Sequence, residues 1–272
     1  MNDVLVNGSA AAGVPADDRG LLYGDGLFES IAFVGDRAPL WDVHMARLSR
    51  SAAALGFEAP DSALLADDCR QLVDGRNRSV VRIVVTRGSG GRAYTPLQTP
   101  RLRRIVQRRS WPAGLGKDRE AGLDFHTSPI RLAAGGALAG LKHGCRLEQV
   151  LAAQRADQAG VDDALLYDAN GWLTESVSSN VVLFIDGQAV TPVLDDAGVA
   201  GVGLTWLTGQ VGEKIEYRRL DDRSVAAAEG FVVINSIAGI RPARSLDGRM
   251  LNIPAACRYW QQLWDELFEC ES

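Results

Sequence analysis

Lysine is scarce in this chain of 272 residues, which holds only three lysines among 29 basic residues. Arginine supplies the rest, and its planar fork suits carboxylate and phosphate partners better than lysine does. Acidic residues number 34, so the formal net charge is −5, and no long run of one charge sign is present. The composition therefore predicts neither a nucleic-acid-binding face nor a membrane-binding one.

Long apolar runs and paired cysteines are also missing. No apolar stretch approaches the roughly 20 residues that a bilayer-spanning helix needs, and the N-terminus lacks a basic segment followed by an apolar one. The four cysteines are scattered without paired spacing, at Cys69, Cys145, Cys257 and Cys270. We therefore expect a cytoplasmic protein with reduced thiols, and no metal site is predicted.

A segment rich in proline and glycine divides the chain. Residues 111–117 interrupt both helix and strand periodicity. We therefore predict an N-terminal domain over residues 1–112, a linker over 113–118 and a C-terminal domain over 119–272. The length suits two modest domains, and strands and helices follow each other in both halves, which predicts a mixed class of α+β or α/β type.

Lys142 is the candidate nucleophile because its neighbours are apolar or small. It lies between the small-residue run 133–140 and a predicted amphipathic helix over 145–159, whereas Lys117 and Lys214 have acidic neighbours. Apolar surroundings lower the pKa of an amine, as Schiff-base chemistry requires. The alternative is a lysine at a helix start that points to water, and the segment alone does not decide between them.

Three other features suit the same chemistry. Glu175 closes a predicted strand, where a carboxylate can face a pyridine nitrogen. The glycine-rich stretch 198–204 enters a predicted helix, whose free N–H groups and dipole favour phosphate. His44 and Arg47 lie three apart on one face of a predicted helix. Together with a nucleophilic lysine, these features are typical of a pyridoxal phosphate enzyme, although each also has an ordinary structural explanation.

A distinctive loop follows the buried, β-branched strand predicted over 80–86. Residues 87–96 combine three glycines with two arginines and a tyrosine. Exposed amides and guanidinium groups in such a loop can meet an anionic small molecule. The loop lacks the GK[ST] ending of a nucleotide-binding P-loop.

The order and spacing of these features resemble the class IV, fold-type IV family of pyridoxal phosphate enzymes, which includes branched-chain and D-amino-acid aminotransferases. The closer match is to its aminodeoxychorismate lyase branch. It is carried by Val85–Tyr94, Leu141–His143 with Arg146–Leu151, and Asp163–Leu165 with Gly171–Glu175. The likeness covers nearly the whole chain. It implies a smaller N-terminal α/β domain and a larger C-terminal α/β domain with a barrel-like sheet.

The resemblance also implies roles for individual residues. Lys142 would bind the cofactor as a Schiff base, Glu175 would pair with the pyridine nitrogen, and Arg47 would bind the phosphate. Backbone amides would complete the phosphate site near three residues: Val202, Gly203 and Ser236. A homodimer is implied as well.

The reaction implied by the resemblance converts 4-amino-4-deoxychorismate to 4-aminobenzoate and pyruvate, a step of folate biosynthesis. Because this substrate carries two carboxylates, Arg92 and Arg87 are the candidates for binding them. For Arg92, a loop arginine that caps local carbonyls is an equally open interpretation. The alternative activity is that of a class IV aminotransferase acting on branched-chain or D-amino acids.

The chain departs from the family pattern at two places. After Asn180 the family usually has an apolar residue and then an aromatic one, where Val181 and Val182 stand here. After the glycine-rich turn it usually has a basic residue, where Leu204 stands. The second departure means that the basic group which the family has near that helix start is missing here. Lys142, Glu175 and Arg47 are all present.

Overall fold

The computed structural model describes residues 3–10, 13–73, 75 and 78–269, which form two compact units. The first unit comprises Met1–Trp111 with Leu141–Cys145, and the second comprises Pro112–Gly140 with Arg146–Ser272. The domain limits drawn from the sequence stay a prediction, from which this division differs by grouping Lys142 with the first unit. Within the predicted linker, a short helix begins at Leu115.

The first unit is built on an antiparallel sheet of five strands, in the order β2-β1-β5-β4-β3. Its strands are β1 (Val4–Val6), β2 (Ser9–Ala10), β3 (Gly26–Val34), β4 (Arg78–Thr86) and β5 (Arg103–Arg109). Its helices are α1 (Arg19–Tyr23), α2 (Trp41–Ala54) and α3 (Ser62–Val73).

One core joins the sheet of the first unit to α2 and α3. Side chains alternate between the two faces of a strand, so β3 buries Leu27, Ile31 and Phe33 on the face that meets the helices. Helix α2 buries Leu48 and Ala52, which are four residues apart and share one face. The fold of this unit therefore follows from strand and helix periodicity.

Residues 141–145 attach to the edge of β3 in the first unit. The Phe28 N–H donates to the carbonyl of Lys142 over 2.9 Å, and the Gly144 N–H donates to the carbonyl of Gly26 over 2.9 Å. Between these bonds lies an isolated antiparallel bridge. The backbone of Lys142 is therefore fixed against a strand.

The second unit contains a mixed sheet of nine strands. Its strands are β6 (Leu123–Leu132), β7 (Asp163–Asp168), β8 (Leu173–Ser176), β9 (Asn180–Ile185), β10 (Gln188–Pro192), β11 (Ile215–Arg218), β12 (Gly230–Asn235), β13 (Gly239–Leu246) and β14 (Arg249–Met250). Their order is β11-β10-β9-β12-β13-β6-β7-β8, and β14 pairs with β13. Pairing is parallel for β10 with β11, β13 with β6 and β6 with β7, and antiparallel elsewhere.

This sheet curls, because the terminal strand β8 returns to contact β9 and β10. The predicted mixed class and barrel-like sheet are thereby confirmed. The helices of the unit are α4 (Leu115–Ala121), α5 (Leu147–Ala159), α6 (Val202–Val211), α7 (Asp222–Ala227) and α8 (Ala256–Phe268), with a 3-10 turn at Gly212–Lys214. Val181 and Val182 are both fully buried in β9, as expected for a strand covered on both faces.

Helix α5 has the predicted position, but it buries small residues. Ala152 and Ala156 face the protein, whereas Leu147, Val150 and Leu151 are 77%, 58% and 49% exposed. The apolar stripe seen in the sequence therefore lies on the surface of this unit. A contiguous exposed apolar group of this kind is typical of an interaction surface.

Cys69, Cys145 and Cys257 are not joined in disulfides, and Cys270 lies outside the described residues. None of the helices in the described part of the chain combines the length and apolar character that a bilayer crossing needs.

A buried ionic cluster joins β3 to α2 in the first unit. Glu29 Oε1 accepts from Arg47 Nε over 2.9 Å, its Oε2 also contacts the Arg47 guanidinium, and His44 Nδ1 lies 2.6 Å from Oε2. The three residues are at most 4% exposed. Burial by itself raises the pKa of Glu29, but the charge of Arg47 and the hydrogen bonds from His44 and Arg47 outweigh it and lower the pKa to about 2.

We expect Glu29→Gln to lower the free energy of unfolding by about 3–5 kcal/mol at neutral pH, because it leaves the buried Arg47 without its counter-charge. The depressed pKa makes this contribution complete above the ordinary value of 4.5, and it is lost as the pH falls toward about 2. Urea unfolding at several pH values should therefore show the gap between the two proteins closing over that range.

The matched control is Asp67→Asn, because Asp67 pairs with Arg70 on the surface with 61% of its side chain exposed. We expect it to cost less than about 1 kcal/mol. An equal cost for both substitutions, or a gap for Glu29→Gln that does not change with pH, would contradict the stabilising role of the buried cluster.

Candidate active site

Lys142 has the apolar neighbour that the sequence predicts for a nucleophilic lysine. Its Nζ lies 4.6 Å from the centre of the Phe28 ring. The residue is partly buried, whereas Lys117 and Lys214 are exposed. Partial removal from water sets Lys142 apart from the other two lysines. Among the three lysines, Lys142 therefore has the setting that suits covalent chemistry.

Arg82 is a second cation at the same aromatic ring, and sequence reasoning missed it. Its Cζ lies 4.1 Å from the centre of the Phe28 ring. Burial lowers the pKa of Arg82, and the nearby charge of Arg109 lowers it further. Within the described part of the chain no carboxylate forms an ion pair with Arg82. A partly buried guanidinium in this situation is stabilised by an anionic ligand.

A signal for Arg82 was present in the sequence. It is the one charged residue inside the strand predicted over 80–86, whose other members are valines, Ile83 and Thr86. A long charged side chain in such a strand must lie on the face away from the core. The strand was interpreted only as a buried one, so this exception passed unnoticed.

The cluster around Arg47 in the first unit contains His44 as its third member. Because Glu29 is ionised and accepts only, a neutral His44 must donate from Nδ1, which leaves Nε2 as an acceptor. His44 Nε2 is buried and has no hydrogen-bond partner within the described residues. Burial lowers the pKa of His44, the bond to Glu29 opposes this, and the charges of Arg47 and Lys142 lower it further. His44 and Arg47 therefore do share one helix face, and the charge of Lys142 acts on His44.

Arg87 is occupied by contacts inside the first unit. Its Nε donates to the carboxylate of Asp25 over 2.9 Å, and its Nη2 donates to the carbonyl of Leu55 over 2.7 Å. Its guanidinium also stacks at 4.9 Å on the ring of Phe57. Since Arg87 is only 8% exposed, these contacts favour a structural role over the predicted binding of substrate.

Arg92 lies on the exposed part of the predicted loop. Its backbone forms a two-way bridge with Thr95, with N···O distances of 2.9 and 3.0 Å. The Arg92 side chain is exposed, in contrast to Arg87. Of the two arginines predicted to bind substrate, Arg92 is therefore the one whose position permits it.

Glu175 is a buried carboxylate near the end of β8 in the second unit. Its Oε2 accepts from the Val199 N–H over 2.9 Å, and the residue is 5% exposed. Gly198 adopts a φ of +85°, and a Cβ there would lie 2.5 Å from Thr174 and 3.4 Å from Glu175 Oε2. Glycine is therefore required for the loop to pass so close to this carboxylate. The position agrees with the strand end predicted from the sequence.

The start of α6 presents backbone donors in the second unit. The residue before the helix is Gly201, which has no side chain to accept from the first N–H groups. A Cβ on Gly201 would lie 1.7 Å from Asn180 Oδ1, and a Cβ on Gly203 would lie 3.1 Å from the backbone of Asn235. The predicted phosphate residues Val202 and Gly203 are thus in the first turn of α6, where the helix dipole favours an anion.

Ser236 belongs to a tight turn beside this helix start. Asn235 Oδ1 accepts from the N–H groups of Ile237 and Ala238 over 3.0 and 2.7 Å. Because Gly203 packs against Asn235, the neighbouring Ser236 lies close to the first turn of α6. The second unit therefore brings together the three residues predicted to complete the phosphate site.

The departure at Leu204 has a structural explanation. Leu204 is 3% exposed and packs inside the second unit. A basic side chain at a position this buried would need a counter-charge. The backbone N–H donors at the start of α6 are therefore not supplemented by a charged side chain at position 204.

Comparison with known proteins shows the family of the chain. Residues 26–246 match the family described as Amino-transferase class IV. The chain is 28% identical to the aminodeoxychorismate lyase of Vibrio harveyi over 245 residues, covering 89% of this chain and 90% of that protein. It is 26% identical to the branched-chain-amino-acid aminotransferase of Escherichia coli (strain K12) over 241 residues, covering 84% of this chain and 78% of the relative.

A solved structure extends the comparison. The crystal structure of 4-amino-4-deoxychorismate lyase from Pseudomonas aeruginosa is 36% identical, with a TM-score of 0.90, and the match covers 98% of this chain and all 100% of that one. These findings confirm the predicted family, the class of enzyme and its pyridoxal phosphate cofactor. The chain belongs to the amino-transferase class IV family.

Proposed function

We propose that this enzyme is a pyridoxal-phosphate-dependent lyase that converts 4-amino-4-deoxychorismate to 4-aminobenzoate and pyruvate. The observation that carries the proposal is the pair of cations on the Phe28 ring, with Lys142 at 4.6 Å and Arg82 at 4.1 Å. An arginine without a carboxylate partner, so close to the reactive amine, suits a substrate that carries anionic groups near its reacting carbon. The α-carboxylate of an amino acid would suit the same charge, so the turnover test below separates the lyase from the aminotransferase.

We propose that the cofactor is held by the residues that the family resemblance assigns to it. Lys142 binds it covalently, Arg47 binds its phosphate, and Glu175 keeps its pyridine nitrogen protonated. Backbone N–H groups at three residues complete the phosphate site: Val202, Gly203 and Ser236. The donors at the start of α6 and the buried guanidinium of Arg47 suit a phosphate group. When bound, the cofactor supplies an electron sink for charge that develops next to the substrate nitrogen.

Lys142 is the proposed general base. Once released from the cofactor, the Lys142 amine would accept the proton from the substrate ring carbon that bears the amino nitrogen. The C–O bond to the enolpyruvyl group then breaks, and the ring becomes aromatic. The proton held by Lys142 can pass to the departing enolpyruvyl carbon, which gives pyruvate and restores the neutral amine.

Two arginines are proposed to bind the carboxylates of the substrate. Arg82 is the new candidate, because burial disfavours its charge and no internal carboxylate offsets this within the described residues. Arg92 remains a candidate because its side chain is exposed. Arg87 is assigned to the structure of the loop, since Asp25 and Leu55 already accept from it.

A class IV aminotransferase is the second candidate activity, favoured by the similarity to the Escherichia coli aminotransferase. An aminotransferase would share the cofactor site with the lyase and would differ in how the product is formed and released. A homodimer is part of either proposal, and the exposed apolar side chains of α5, with Leu147 at 77% exposure, support an interface there.

Turnover without a keto acid distinguishes the two activities. A lyase expels a group that its substrate already carries and returns the cofactor to Lys142, whereas an aminotransferase must be recharged by a keto acid after each cycle. We expect purified enzyme and 4-amino-4-deoxychorismate alone to give many turnovers, with 4-aminobenzoate and pyruvate in equal amounts. Product formation that stopped after one equivalent per site and resumed on addition of 2-oxoglutarate would establish the aminotransferase instead.

We expect Arg82→Gln to raise KM for aminodeoxychorismate by about ten- to a hundredfold, because one charge-assisted bond to a carboxylate is lost. The absorbance of the bound cofactor should not change, since Arg82 is not proposed to touch it. Arg109→Gln is the control, because Arg109 is an exposed neighbour that bonds only to Gln107 among the described residues. Equal KM values for Arg82→Gln and Arg109→Gln would remove Arg82 from the substrate site.

A further inference from the structure

We propose that Arg19 is a positioning residue, whose buried guanidinium fixes the loop 87–96 and thereby determines how tightly Arg92 binds an anionic substrate. The proposal rests on the proposed function, because it requires Arg92 to contact the substrate. Arg19 lies outside every motif that points to the cofactor.

The contacts of Arg19 reach the far side of the loop. Its Nη1 donates to the carbonyl of Ala93 over 2.9 Å and its Nη2 to the carbonyl of Tyr94 over 2.9 Å. Its backbone N–H donates to the carbonyl of Gly88 over 2.8 Å. Arg19 is 5% exposed, whereas Tyr94 is 84% exposed. The buried side chain of Arg19 therefore holds the tip of the exposed loop, at Ala93 and Tyr94, while its backbone N–H bonds to Gly88 near the start of the loop.

Asp25 links Arg19 to the start of the loop. Its Oδ2 accepts from Arg19 Nε over 2.8 Å and from Arg87 Nε over 2.9 Å. Arg87 is the first residue of the loop, and its other partner is the carbonyl of Leu55. The Asp25 carboxylate thus connects Arg87, at the start of the loop, with Arg19, which bonds to the carbonyls of Ala93 and Tyr94.

The loop needs such a restraint because its conformation is demanding. Ala93 adopts a φ of +49°, in the left-handed region that residues other than glycine seldom occupy. A Cβ on Gly91 would lie 2.4 Å from the carbonyl oxygen of Thr95. Residues 90–95 are all exposed, so burial of apolar surface does little to hold this shape. The hydrogen bonds from Arg19 therefore select the loop conformation.

Removal of Arg19 is expected to release the loop and leave the fold intact. In Arg19→Met, Asp25 keeps its bond to Arg87, so no carboxylate is left without a partner. The freed carbonyls of Gly90, Ala93 and Tyr94 belong to exposed residues and can bond to water instead. The substitution therefore acts on the order of the loop.

A double-mutant cycle tests the coupling in the complete holoenzyme. We expect Arg92→Ala and Arg19→Met each to raise KM for aminodeoxychorismate by about tenfold, and the double variant to be no worse than Arg92→Ala alone. Arg19→Lys should fall between wild type and Arg19→Met, because one ammonium cannot reach both carbonyls as the guanidinium fork does. The cofactor absorbance should be the same in all variants.

Arg70→Met is the control, because Arg70 pairs with Asp67 on the surface of the same unit and, among the described residues, forms no ion pair with the loop. We expect it to leave KM unchanged. Hydrogen exchange of the amides in residues 88–95 provides a readout independent of activity, and it should accelerate in Arg19→Met while staying at the wild-type rate in Arg70→Met.

Three results would overturn the proposal. Unchanged exchange in the loop of Arg19→Met would show that Arg19 does not hold it. Effects of Arg19→Met and Arg92→Ala that multiply to about a hundredfold would show independent action, and the proposed function would stand. An unchanged KM for Arg92→Ala would remove Arg92 from the substrate site and the positioning role with it, while lyase turnover without a keto acid is measured separately.

Discussion

The buried carboxylate of Glu29 is the interaction on which the functional side of the first unit depends. It neutralises Arg47, orients His44 and joins β3 to α2, all with less than 5% exposure. A buried arginine without this partner would be unstable, and a freely rotating one would bind a phosphate with less precision. In the proposed phosphate site, Arg47 would therefore be held in place before the phosphate binds.

Strand β3 places different functional groups on its two faces because successive side chains point to opposite sides. Glu29 faces the helices and the Arg47 cluster, while the neighbouring Phe28 carries the cations of Lys142 and Arg82. The segment 141–145 attaches to the edge of the same strand, so the position of Lys142 is set by backbone hydrogen bonds. Strand geometry therefore positions both Lys142, the proposed Schiff-base lysine, and Arg82, the proposed partner of a substrate carboxylate.

Much of this arrangement could be predicted from local sequence. The neighbours of Lys142 indicated its setting, and the three-residue spacing of His44 and Arg47 indicated a shared helix face. The partners that require long-range pairing could not be predicted: Glu29 precedes Arg47 by 18 residues, and Arg19 contacts Tyr94 across 75 residues. The setting of Arg82 was missed for the same reason, because it depends on the Phe28 ring. The hydrogen bonds of Arg87 were also missed, because they depend on Asp25.

The central claim is that Lys142 carries the cofactor. Borohydride reduction of the holoenzyme, followed by proteolysis and mass spectrometry, tests it directly because reduction fixes the cofactor permanently on its lysine. We predict that the pyridoxyl group is found on the peptide containing Lys142 and that Lys117 and Lys214 remain unmodified, in keeping with their exposure. A label on Lys117 or Lys214, or a holoenzyme with no reducible lysine, would contradict the account.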